Sequence, residues 1–184
     1  MKDLLFKISD FNEIDPFLMT ITSASDHWMY ISSSGCLTAG RQKPDYALFP
    51  YITDDLLHKN AGSTGPITAI KFGKKNKHSL WQPFSSQIDD FKKERNLYKN
   101  SLGNKIKFEE FNHTNGLTFS YSWHSSEEFG FVRKAILKND SDDTIQISLV
   151  DGLRNIMPAG VELRTQQSMS CLLYTSPSPR DNTG

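Results

Sequence analysis

The chain has 184 residues, and its 21 Lys and Arg balance its 21 Asp and Glu, so the net charge is zero. Neutrality excludes the electrostatic footprint of a nucleic-acid or anionic-membrane partner, while the length suffices for one domain with a sizeable core. No apolar run approaches a membrane span, and the opening MKDLLFKISD has too short an apolar patch for a signal peptide.

Twelve Phe, six Tyr and three Trp, interleaved with Thr, Ile and Ser, favour strands over helices. After a lead-in over 1–16, strands are expected at 17–22, 28–33, 46–51, 67–72 and 79–84. Between the third and fourth, Thr53 stands at an N-cap position before Asp54-Asp55-Leu56-Leu57, which marks a short helix. The charged run DDFKKER at 89–95 reads as a solvated turn or short helix.

The second half is more regular. In 117–124, Leu117, Phe119, Tyr121 and Trp123 alternate with Thr118, Ser120, Ser122 and His124, the period of a half-buried strand. Asn115-Gly116 ahead of it is a hairpin-turn signal, since both residues tolerate positive φ. Residues 105–111 precede that turn with the same alternation, and 129–138 and 144–150 follow, separated by the turn formers Asn139-Asp140-Ser141-Asp142-Asp143. An antiparallel meander of four strands is the expectation. Such strands must bury one face against a second layer, so the fold class is mainly β: an antiparallel β-sandwich with one or two short helices.

Chemistry is sparse. There is no Gly-rich phosphate loop, no GxSxG and no HExxH, and the five histidines lack metal-ligand spacing. His124 beside Ser125 and Glu127-Glu128 is a poor catalytic set, because neighbours on a strand point to opposite faces. No catalytic residue, metal site or cofactor is expected. Asn112-His113-Thr114 and Asn139-Asp140-Ser141 match the glycosylation sequon but read as turns. Of the two cysteines, Cys171 belongs to an atypical tail, and a single Cys36 fits a reducing cytoplasm.

The distinctive run is SDHWMYISSSGCLTAGR, followed by PDYALFPY. Trp28, Tyr30, Tyr46, Phe49 and Tyr51 lie among Asp26, His27, Arg41, Asp45 and Asp54. Aromatic faces beside hydrogen-bonding groups suit a sugar, whose C–H faces stack while its hydroxyls seek polar partners. Trp28, Arg41, Asp45 and Tyr51 are the candidate substrate-binding residues. Arg41 follows Ala39-Gly40, where a glycine permits close backbone approach and a guanidinium can fork onto an oxyanion. The competing reading makes these aromatics core and the charges loop anchors. Gly62-Ser63-Thr64-Gly65-Pro66 offers backbone amides to a ligand, and Trp81-Gln82-Pro83-Phe84 reads as strand end, turn and packing.

The same run, with YALFPYITDD, WQPFS, ERNLYKN, GNKIKFEEFNH and FGFVRKAILKNDSDDTIQISLVDGLRNIMPAGVE, resembles the N-terminal part of large, mostly uncharacterised bacterial cellobiose-phosphorylase-like proteins. Arg133, Leu137, Asn139, Ser141 and Leu149 to Asp151 follow the pattern of the mutarotase-like supersandwich that precedes an (α/α)6 barrel in glycoside phosphorylases. The resemblance spans nearly all of 17–163. It implies a supersandwich-like, incomplete β-sandwich over 17–170 whose catalytic helical barrel lies further along the parent chain. It also implies a sugar or oligosaccharide ligand, inorganic phosphate as a substrate of an active parent, and a homodimeric parent. The family's general acid and phosphate site belong to the barrel, so no catalytic residue carries over.

The tail 171–184, CLLYTSPSPRDNTG, departs from all this. Pro177 and Pro179 bar helix and central strand, which describes an exposed polyproline-like tail. Read codon by codon, 171–181 also resembles translated sequencing-adapter read-through, so a non-native tail is expected, with the natural segment ending near Ser170. The combined expectation is a non-catalytic sandwich portion of a carbohydrate-active protein. A free-standing lectin-like module and a purely structural docking sandwich are the alternatives.

Overall fold

The computed structural model describes residues 4–50, 53–59, 62–74, 77–87 and 89–157, with 162, 164, 165 and 168; the tail 171–184 lies outside them. Among the described residues, strands β1 (Leu5–Ser9), β2 (Leu18–Ile21), β3 (His27–Ser32), β4 (Leu37–Arg41), β5 (Gly65–Lys74) and β6 (Lys77–Trp81) fill the first half. Strands β7 (Lys93–Asn100), β8 (Lys105–Asn112), β9 (Leu117–Ser126), β10 (Gly130–Asn139) and β11 (Gln146–Arg154) fill the second, and the helix α1 covers Asp54–Lys59. Three antiparallel sheets result, in the orders β1-β7-β8-β9-β10, β11-β5-β6 and β2-β3-β4. The mainly β, antiparallel expectation with a short helix holds, and none of the sheets is closed.

One apolar core is shared by all three sheets. The large sheet contributes Leu97, Ile106, Phe108, Phe119, Tyr121 and Trp123; β2 to β4 contribute Met19, Ile21, Met29 and Ile31; β5 and β6 contribute Ile70, Phe72 and Trp81. The alternation in β9 therefore places its aromatic face as the sequence implies. Thr118 and Ser120 on its other face are buried as well. Short side chains there lie beneath long neighbours: Tyr98 donates to Glu109 at 2.8 Å, and Lys107 pairs with Glu109 while sitting 4.9 Å from the Tyr98 ring centre. That layer buries the Tyr98 hydroxyl against a carboxylate, which pushes its pKa up to about 12.

Five expectations need correction. The meander stops at β10, because β11 crosses to another sheet and pairs with β5, Gln146 opposite Gly73 through Arg154 opposite Gly65. The turn after β10 sends it there: Asn139 caps it through the Asp143 carbonyl at 2.8 Å, and the Asp140 amide reaches the Gly116 carbonyl at 2.7 Å. Arg133 of β10 then clamps Asp151 of β11 with two bonds of 2.6 and 2.8 Å.

The charged run at 89–95 does not stay a turn, since β7 begins at Lys93 between β1 and β8. Its Arg95 faces inward onto a buried partner. The lead-in holds β1, an edge strand exposing Phe6 and Leu5. Residues 46–51 form no strand among the described positions: Pro44 opens a 3-10 turn through Tyr46, and Ala47 makes an isolated bridge to Gly40. Proline's fixed φ and missing donor suit that first turn and not a ladder. In the β8–β9 hairpin only Gly116, not Asn115, takes positive φ.

Candidate functional site

A cleft of about 400 Å³ opens between the inner face of the large sheet and five other segments. Its floor is aromatic. Phe108 and Tyr121 stack with ring centres 4.9 Å apart, and Phe84 meets Tyr121 edge-on at 5.3 Å. The Arg133 guanidinium lies 5.0 Å from the Tyr121 ring. Burial pushes the Tyr121 hydroxyl well above its ordinary pKa, so it remains a neutral phenol.

One wall is the turn after β6, and its anchor is Glu110. This fully buried carboxylate accepts from Trp81 Nε1 at 2.7 Å, from the Phe84 amide at 2.8 Å and from Arg95 Nε at 2.6 Å. Arg95 Nη2 continues to the Ser85 carbonyl at 2.7 Å. Phe84 has φ of +62°, a left-handed conformation costing on the order of 1–2 kcal/mol for a side chain with a Cβ. The hydrogen bond its N–H donates to Glu110 offsets that strain and fixes the turn.

The opposite wall joins the β3–β4 turn to the segment entering β5. Gly35 has φ of +90°, and a Cβ there would sit 3.2 Å from the Tyr121 hydroxyl. Asn155 donates to the Ser63 carbonyl at 2.9 Å and to Thr64 Oγ1 at 3.1 Å, and Arg154 donates to the Gly62 carbonyl. The glycine-rich loop noted in the sequence is thus a cleft wall held by the end of β11. Ser33 and Ser34 complete the rim, with Ser34 Oγ bonded to Ser32 Oγ at 2.8 Å.

The residues singled out from sequence lie elsewhere. Arg41 pairs with His27 and Trp28 with Gly40, so the Trp28 and Arg41 side chains leave their sheet on opposite faces. Arg41 Nε spans both oxygens of Asp26 at 3.0 and 3.1 Å, with Gln42 on the same carboxylate. That contact with Arg41 is the main reason the Asp26 pKa falls below the usual carboxylate range. Asp45 pairs with Lys43 at 3.2 Å, and Tyr51 lies outside the described residues. Gly40 does permit a close approach, but by the Trp28 indole: a Cβ there would stand 2.4 Å from Trp28 Cζ2. Trp28 and Tyr30 sit together on the outer side, tilted with ring centres 6.1 Å apart, while the Tyr46 ring lies under Lys43 Nζ at 5.0 Å.

No catalytic relay emerges around His27. Ser25 Oγ at 2.8 Å and Asp26 at 3.5 Å both meet its Nδ1, whereas a nucleophile–base–carboxylate chain uses both ring nitrogens. Among the described residues no group of three His, Cys, Asp or Glu could hold a metal. No described helix is long and apolar enough to cross a membrane. No protein-family model matches the chain, and no curated protein matches it. The cleft gathers residues from eight stretches of sequence, and only the glycine-rich loop advertised itself.

Proposed function

We propose that this chain is the non-catalytic β-sandwich portion of a larger carbohydrate-active protein, and that the cleft is its saccharide site. The observation that carries the reading is the cleft's lining. Phe84, half-buried at the cleft and backed by the buried Phe108–Tyr121 stack, is the aromatic group open to a ligand, and Ser33, Ser34, Thr64, Gln82, Ser86 and Gln87 ring it. Aromatic planes receive the C–H face of a sugar, and hydroxyl and amide groups exchange hydrogen bonds with its rim. A volume of about 400 Å³ falls in the range of small-ligand pockets.

The supersandwich assignment draws support from three sheets around one core and from the outer edges of β10 and β11, which no strand among the described residues pairs. Further strands of a longer chain would cover those edges. In such a parent the reaction would be inverting phosphorolysis, with an acid from the barrel protonating the leaving oxygen while inorganic phosphate attacks the opposite sugar face. A cytoplasmic setting suits the buried free thiol of Cys36.

A docking role is the second reading, favoured by one surface. On the outer face of the β11-β5-β6 sheet, Val150 is 73% and Leu80 58% exposed. Titration of a saccharide panel by calorimetry separates the two, using Ser86→Trp to fill the cleft from its exposed rim. Saccharide binding that disappears in Ser86→Trp at unchanged melting temperature supports the cleft. Binding that survives the substitution places the site elsewhere, and no binding to any saccharide removes the carbohydrate reading in favour of docking.

A further inference from the structure

The charges lining the cleft have one sign. Among the described residues Arg95 and Arg154 are its only charged side chains, and no carboxylate lines it. The two guanidiniums differ in what neutralises them. Arg95 is paired with Glu110 and bonded to the Ser85 carbonyl, so its charge is matched within the protein. Arg154 donates through Nη1 to the Gly62 carbonyl, and no carboxylate pairs with it among the described residues. Its Nε and Nη2 edge, the two-donor fork that fits a carboxylate or phosphate, has no protein acceptor there.

The register fixes where that fork stands. Arg154 ends β11 opposite Gly65, the first residue of β5, and Asn155 holds the same loop through Ser63 and Thr64. The guanidinium, which lines the cleft, is therefore tethered at the rim by the glycine-rich wall. The other end is unsuited to an anion. Asp10, Glu13 and Asp89 line an adjoining hollow that also reaches Arg95, and of the three only Asp89 is matched there among the described residues, by Lys93 at 2.6 Å. An oxyanion is repelled from that side and drawn to the Arg154 end.

We propose that the saccharide held in the cleft carries an oxyanion, a carboxylate or a phosphate, which the Arg154 fork receives at the rim. Arg95, already neutralised, donates its remaining N–H groups to uncharged hydroxyl or ring oxygens deeper in the cleft. This rests on the reading of the cleft as a saccharide site, and it narrows the ligand class to acidic or phosphorylated sugars. Ion-paired hydrogen bonds of this kind are about twice as strong as neutral ones.

Calorimetry of the whole chain with sodium glucuronate, glucose 6-phosphate and methyl β-glucoside tests it, at about 20 and 200 mM salt where screening differs strongly. At least one anionic sugar should bind about tenfold or more tighter than the glucoside, a difference of about 1.4 kcal/mol. The advantage should shrink at the higher salt. Arg154→Gln should abolish the advantage, with the glucoside and the melting temperature reporting separately on the wall that Arg154 holds through Gly62, and Arg154→Lys should restore only part of it. Whichever of glucuronate and the phosphate binds tighter identifies the oxyanion. A glucoside that binds as tightly as both anions, or an Arg154→Gln variant that keeps the full advantage, overturns the proposal but leaves the carbohydrate reading standing. Failure of all three sugars removes both. If Arg154→Gln does not fold, the salt dependence of the unaltered chain decides.

Discussion

Replacing Glu110 should damage the fold more than its single carboxylate suggests. Three donors converge on it: Trp81 Nε1, the Phe84 amide and Arg95 Nε. Two are neutral, and leaving a buried neutral donor unpaired costs about 1–3 kcal/mol each. The third belongs to a guanidinium 16% exposed, and removing one partner of a buried ion pair costs about 3–5 kcal/mol. The sum overstates the effect, because Arg95 borders the cleft and water can reach it, whereas Trp81 is fully buried. Glu110→Leu should therefore cost about 4–6 kcal/mol, a large share of the ~5–15 kcal/mol typical of a domain. The double variant Arg95→Met, Glu110→Leu removes the stranded charge as well and should recover about 2 kcal/mol of that loss. Urea unfolding followed by tryptophan fluorescence measures both, with Trp81 as a reporter at the site itself. A double variant no more stable than Glu110→Leu would refute the claim that a stranded Arg95 charge accounts for part of the loss. A loss under about 1 kcal/mol in the single variant would refute the whole anchor.

Trp123 faces the core and Ser122 the opposite side, so Trp123→Ala should cost about 3–5 kcal/mol and Ser122→Ala almost nothing; equal losses would mean the face is misassigned. Gly40→Ala drives a methyl group against the Trp28 ring and the Tyr46 carbonyl oxygen and should cost about 1–3 kcal/mol, read as a lower urea midpoint. Burial alone would raise the Asp151 pKa, but the Arg133 and Thr68 hydrogen bonds together hold it below the usual range. The group's contribution is thus complete above its unfolded pKa of about 3.9 and fades as pH falls through the lower folded value. Melting temperature against pH should drop more gently on that acid limb in Asp151→Asn than in the unaltered chain, and identical slopes would disprove the linkage.

What could be read from the sequence depended on whether burial left a periodic trace. β9 was legible because four aromatic or apolar residues alternate without interruption. β7 was not, because its inward row contains Arg95, and a charge that satisfies a buried carboxylate is indistinguishable in sequence from a solvated one. The destination of β11 was also hidden. Its alternation gave a strand, yet nothing local says that Asp151 will meet Arg133 and carry the strand into another sheet. Trp28, Arg41 and Asp45 were grouped by closeness in sequence, whereas the pleat sends Trp28 and Arg41 to opposite faces. The cleft left the faintest trace, since its walls come from segments as distant as the β3–β4 turn and the end of β11.

The pairing of β11 with β5 sets the order in which the molecule can assemble. Strands β7 to β10 meet through short hairpins and can form quickly, with Trp123 among them. The β11–β5 ladder must first bring residues 146–154 back to 65–73, across every strand of that meander. Loop closure grows costlier by about 0.6 kcal/mol for each doubling of the enclosed length, and contacts so far apart along a chain slow folding. Refolding watched at Trp123 should then lead refolding watched at Trp81, whose indole is buried only when the smaller sheet docks onto Glu110.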